Sequence, residues 1–128
     1  MAKRAHKILI IEDEQFINDL YRHKLTQENY KVISAFDAQD GWQMFLKEKP
    51  DLVLLDLILP KGNGFEILQK AKTSPETSSV PIIILSNLGQ PEDAQRALDL
   101  GALGYLIKAD FTPTEVVKKI NEVFAKKT

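Results

Sequence analysis

No cysteine occurs in the chain, which removes disulfides, thiol nucleophiles and thiolate metal sites together. Net charge is nearly absent as well: 17 Lys and Arg stand against 18 Asp and Glu, leaving −1, so no global basic field favours direct binding of nucleic acid. Long apolar runs are missing. The basic start, Met1 to Lys7, resembles the first part of an export signal, but only Ile8 to Ile11 follow before Glu12. That is too short for a signal peptide or a membrane span, and a soluble cytoplasmic protein without membrane contact is expected. Neither of the phosphate-loop patterns GxxxxGKS/T and GxGxxG surrounds Gly62-Asn63-Gly64. What remains is globular: 128 residues, 44% hydrophobic and 27% charged, enough for one domain spanning 1–128 with its own core.

The most informative stretch is Asp51-Leu52-Val53-Leu54-Leu55-Asp56-Leu57-Ile58-Leu59-Pro60. Four apolar residues in a row, closed by an acid, have the length of a strand buried on both faces. In an open α/β sheet ligands bind beyond the carboxyl ends of strands, so Asp56 would point into a site. Read alone, it is more simply a turn or capping aspartate. Ile8-Leu9-Ile10-Ile11 is a second such strand and runs into Glu12-Asp13-Glu14. Asp13 can cap the helix that follows, where an acid gains about 0.3 to 1 kcal/mol from the helix dipole, but one cap accounts for one acid and not for three.

That helix carries Phe16, Ile17, Leu20, Tyr21 and Leu25 as an apolar stripe. Residues 30–36 predict an edge strand. Asp37 caps a helix that buries Trp42, Phe45 and Leu46, and Phe65, Leu68 and Ala71 begin another after the glycine-containing loop. Residues 73–79 read as a surface loop. Residues 80–85 predict a fourth strand ending at Ser86, and Pro91 opens a helix with only Ala94, Ala97 and Leu98 to bury, the thinnest contact of the set. Residues 105–107 form a fifth strand ending at Lys108. Thr112-Pro113-Thr114-Glu115 is a capping box with a first-turn proline, and Val116, Val117, Ile120, Val123 and Phe124 give the last stripe.

Five strands alternating with five helices predict a single α/β domain, a doubly wound parallel sheet with helices on both faces. The flavodoxin-like order 2-1-3-4-5 fits five strands and puts its switch point between the first and third. Glu12, Asp13 and Asp56 would then meet, with Ser86 and Lys108 beside them. Three carboxylates and one lysine leave about two uncompensated charges; a hard divalent cation relieves this, and few carboxylates with room for water suit Mg²⁺ better than Ca²⁺. Such an ion beside a carboxylate favours phosphoryl arrival. Asp56 is the plausible nucleophile, Lys108 a point charge for the phosphoryl oxygens, and Ser86 a hydrogen-bonding group.

Over essentially its whole length the chain resembles the receiver domain of two-component response regulators. The matching pieces are Ile8 to Glu14, then Leu54-Leu55-Asp56-Leu57-Ile58-Leu59-Pro60 with Gly64-Phe65-Glu66, then Pro81 to Ser86, then Gly101-Ala102 with Tyr105-Leu106-Ile107-Lys108. The resemblance implies that Asp56 accepts phosphate from a phosphohistidine of a sensor histidine kinase or a histidine phosphotransfer protein. It implies that Glu12, Asp13, Asp56 and the backbone carbonyl of Ile58 hold Mg²⁺, that Ser86 and Tyr105 are switch residues, and that Lys108 contacts phosphate. A downstream protein would read the surface of the fourth helix, fifth strand and fifth helix. A stand-alone regulator is expected, since the last helix nearly reaches Thr128.

Three points follow from departures and rivals. Ala109 stands where the family usually has proline, so a trans Lys108–Ala109 bond is expected, a cis bond without proline costing about 3 to 4 kcal/mol. Ile58 and Leu88 occupy the positions two beyond Asp56 and Ser86, where the family orients the hydrolytic water; both lack a polar atom, which predicts slow self-dephosphorylation. The rivals are an Mg²⁺-dependent phosphatase, which would want an acid where Ile58 stands, and an interaction module on the same fold that works without phosphorylation. His6 and His23 match no functional position, and His23 is expected on a solvated face; Trp42 is expected to pack.

Overall fold

The computed structural model describes residues 5–126; the first four residues of the basic start and the last two of the chain lie outside the described residues. Runs of apolar residues become strands wherever both faces can be covered. Strand β1 (Lys7–Ile11), β2 (Lys31–Ala35), β3 (Leu52–Leu55), β4 (Ile82–Ser86) and β5 (Gly104–Ile107) form one sheet. All pair in parallel, in the order β2-β1-β3-β4-β5. This is the expected order, with β2 at one edge. Every residue of β3 and β4 is buried, as two-sided cover requires.

Helices α1 (Gln15–Gln27) and α5 (Pro113–Ala125) cover one face, where Tyr21, Leu25, Val116 and Ile120 pack on Ile8, Ile10, Leu54 and Leu85. Helices α2 (Ala38–Glu48), α3 (Gly64–Thr73) and α4 (Pro91–Asp99) cover the other, where Phe45, Leu68 and Ala97 meet Leu9, Ile11, Val53 and Ile84. Two start signals read from the sequence operate as expected. Asp37 accepts from the Asp40 amide at 2.7 Å, and Thr112 and Glu115 form both halves of the capping box, at 3.2 and 2.8 Å. Trp42 packs edge-on against Phe45, and His23 is exposed.

Four expectations need correction. The α1 stripe is rotated: Asn18, Tyr21 and Leu25 are buried and Leu20 only partly so, whereas Phe16 is 79% exposed. The three buried positions keep helical spacing, and Phe16 falls at the first turn beyond the edge of the sheet. Asp13 does not cap α1; the cap position is Glu14, without a side-chain cap bond. Leu98 is 44% exposed, so α4 buries Ala97 alone. Finally, the loop after β3 contains a small antiparallel ribbon, Ile58–Leu59 with Gly62–Asn63, outside the sheet; left-handed Lys61 and Gly62 turn it. Among the described residues no helix is long and apolar enough to cross a membrane, and no peptide bond is cis, so Lys108–Ala109 is trans.

Candidate functional site

Register, more than any single residue, builds the site. Ile11 lies opposite Leu55 in the β1–β3 ladder, so the next residue on each strand, Glu12 and Asp56, emerge side by side. The Asp56 amide still donates to the Ile11 carbonyl at 3.0 Å, and the Glu12 amide to Ala35 at 3.1 Å. Ser86 lies opposite Ile107, which sets Lys108 one step beyond and next to Ser86. The four side chains from four strand ends thus arrive at one edge because the strands are parallel and end together.

Asp56 is buried and both of its oxygens are engaged. Oδ1 accepts from Ser86 Oγ at 2.8 Å and from the Ile58 amide at 3.2 Å; Oδ2 accepts from Lys108 Nζ at 2.8 Å. Lys108 also pairs closely with Glu12, and Glu14 lies 4.0 Å away. Glu12 is held by the Glu14 amide at 3.0 Å. Its carboxyl is pushed up to about 7: burial raises it, the Lys108 and Glu14 hydrogen bonds oppose, and Asp56 adds repulsion. Burial works against the Lys108 charge, but its bonds to Asp56 and Glu12 outweigh burial and raise its pKa.

Glu12, Asp13 and Asp56 each offer a carboxylate oxygen within 4.8 Å of the others. An all-oxygen donor set carrying more negative charge than Lys108 can offset fits a hard divalent cation. Asp13 is the exposed member, on the solvent side of this cluster.

From Asp56 a hydrogen-bond chain leads outward. Ser86 Oγ also lies 3.4 Å from the Leu88 amide, and Tyr105 O–H donates to the Leu88 carbonyl at 2.6 Å. The Tyr105 hydroxyl is therefore turned toward the loop that follows Ser86. A partly buried strand aromatic with this partner is more than surface packing.

Two further residues support the site, Asn18, which the sequence did not single out, and Gly64, which it placed among the matching motifs and in the tight loop. Asn18 is fully buried and its Nδ2 donates to the carbonyls of Glu12 and Ala35, at 3.0 and 3.3 Å, tying α1 to the ends of β1 and β2; the 18/21/25 spacing was the available signal. Gly64 starts α3 directly against the acid's backbone. A Cβ there would lie 2.3 Å from the Asp56 carbonyl oxygen, so only glycine permits this approach.

Comparison with known proteins agrees with this geometry. The sequence model described as response regulator receiver domain matches residues 8–121. The probable transcriptional regulator ycf27 of Porphyridium aerugineum is 38% identical over 120 residues, 94% of this chain and 48% of that protein. The phosphate regulon transcriptional regulatory protein PhoB of Escherichia coli is 34% identical over 119 residues, 93% of this chain and 52% of that protein. The chain thus spans about half the length of these curated relatives. Among solved structures, the CheY-like receiver domain protein of Methanospirillum hungatei superposes with a TM-score of 0.89 at 28% identity, covering 96% of each chain. Because the family match runs from the first strand into the last helix and takes in every strand end described above, the chain belongs to the response regulator receiver domain family of two-component signalling.

Proposed function

We propose that this receiver domain is switched by phosphorylation of Asp56, the phosphoryl group coming from a phosphohistidine of a sensor histidine kinase or histidine phosphotransfer protein. The observation that carries the reading is the clamping of one buried carboxylate by Ser86, Lys108 and the Ile58 amide beside two further acids. An Asp56 oxygen attacks phosphorus, the bond from phosphorus to the donor's imidazole nitrogen breaks, and the imidazole leaves with that electron pair. Lys108 and Ser86 then turn from the carboxylate to the oxygens of the transferred group. Glu12, Asp13, Asp56 and the Ile58 carbonyl would hold Mg²⁺, which supplies positive charge against the phosphoryl oxygens. Exposed Phe16 and Ile58, three and two positions from Asp13 and Asp56, give a protein donor apolar surface to rest on.

Output follows from the same bonds. A phosphoryl group on Asp56 takes over the Ser86 hydroxyl, which shifts the Leu88 segment and the Tyr105 bond that rests on it. The surface of α4, β5 and α5 is then biased between two packings, as a population shift. With Ala97 its only buried residue, α4 has little packing to resist such a shift.

The direct test is incubation with acetyl phosphate and Mg²⁺, read by intact mass. Addition of a single phosphoryl group is expected, and none when a chelator removes the cation. An unmodified wild-type chain under conditions that load another receiver would reject the proposal. The lifetime of the product is a separate expectation. Neither Ile58 nor Leu88 carries an atom that can orient water, so hydrolysis is slow; Ile58→Asn with Leu88→Glu is expected to speed decay of the phosphoprotein by about tenfold or more. Equal decay rates for the two proteins would refute it.

A further inference from the structure

One buried polar side chain near the cluster has no part in the transfer just described. Tyr21 is 5% exposed and lies on the inner stripe of α1 between Asn18 and Leu25. Helical side chains lean toward the N-terminus of their helix, and α1 begins right after the acids at the sheet edge, so the Tyr21 ring rises toward them. With Glu12 and Asp56 it lines a cavity of about 10 Å³ whose remaining walls are apolar, among them Ile10, Leu54 and Leu85. A volume of about 10 to 15 Å³ with two to four polar partners is what one buried water needs; the polar residues in this lining are Tyr21, Glu12 and Asp56. The phenol ionises only at about 12, raised chiefly by burial, with Lys108 and Glu12 close enough to act on it. It is a neutral hydrogen-bond donor throughout the working range.

We infer that Tyr21 is a positioning residue of the phosphoacceptor site: through one water in this cavity its hydroxyl donates to the carboxylates of Glu12 and Asp56 from the core side, holding them in the arrangement that receives the cation. This rests on the receiver reading above. Outer partners of metal ligands govern affinity as well as geometry.

The test is a Mg²⁺ titration of the full chain followed by NMR. Tyr21→Phe keeps the ring and its packing, so the metal-free melting temperature should hold while Mg²⁺ binding weakens by about tenfold. In the wild type, the shift of the ring carbon bearing the Tyr21 hydroxyl should move along the same titration curve. Tyr21→Leu, which loses ring and hydroxyl, should lower both melting temperature and affinity. A Tyr21→Phe dissociation constant within about twofold of wild type overturns the inference while leaving the receiver reading intact. An unmoved ring-carbon signal does the same, and it decides the matter even if the variant fails to fold. A wild-type chain that binds no Mg²⁺ sinks both.

Discussion

Asp56→Asn is expected to abolish phosphorylation by a small donor completely while leaving a folded protein. The amide nitrogen is no nucleophile, and the remaining amide oxygen has no charge to direct at phosphorus, so the chemical step has no substitute within reach. Glu12 is the nearest rival, but its carboxylate is engaged by Lys108 and the Glu14 amide. The fold should tolerate the change for a physical reason. Asp56 contributes one of three mutually repelling carboxylates, and the amide oxygen can still accept from Ser86 and Ile58, while Lys108 keeps Glu12 as its counter-charge. Relief of repulsion then offsets the weakened hydrogen bonds, and the metal-free melting temperature should stay within a few degrees of the parent. Intact mass after donor treatment gives the first result and a thermal melt the second. Persistent mass gain in Asp56→Asn would move the acceptor to another residue.

How much of this could be read from residues alone differs by level. The apolar runs at 8–11, 52–55 and 82–85 gave away buried strands, because two-sided burial leaves no polar positions to obscure them. The capping box at Thr112 was as plain, since it is local. From alternation came the topology, and from topology the meeting of Glu12 with Asp56, more than forty positions apart. What the pattern could not give was rotation about a helix axis near its end. Phe16 fits a helical stripe by spacing but stands beyond the edge of the sheet, where nothing lies above it to bury it. The same blindness hid Asn18, because a polar residue on an inner stripe reads as a flaw in the pattern until the carbonyls it bonds are visible. Likewise spacing said nothing of how Tyr105, a switch residue by resemblance, reaches the acid; the Leu88 carbonyl 2.6 Å from its hydroxyl makes that connection.

Lys108→Ala should produce the largest loss of stability of any single change in the site, and one that Mg²⁺ reverses. Its side chain is 10% exposed and holds two carboxylates that are themselves 5% and 6% exposed. Removing one partner of a buried ion pair typically costs about 3 to 5 kcal/mol; at a sheet edge, with Asp13 open to solvent nearby, about 3 kcal/mol is expected in metal-free buffer near pH 8. The pH dependence has a definite sign. In the folded chain Glu12 holds its proton up to about 7, against an ordinary value of 4.5. Between those values the folded state binds a proton that the unfolded state has released, so this group's contribution to stability falls as pH rises through that window and levels off above it. Lys108 opposes this by favouring the ionised carboxyl; without it the Glu12 pKa rises further and the loss extends to higher pH. A bound cation favours the ionised acids and supplies the missing positive charge, so saturating Mg²⁺ should recover most of the lost stability. Phosphorylation should not recover with it, because Mg²⁺ at the acids does not replace the ammonium held 2.8 Å from Asp56 Oδ2. Urea unfolding with and without Mg²⁺ measures the first effect, and acetyl phosphate labelling the second. A Lys108→Ala chain as stable as its parent in metal-free buffer would show that the two buried acids do not depend on this lysine for their charge.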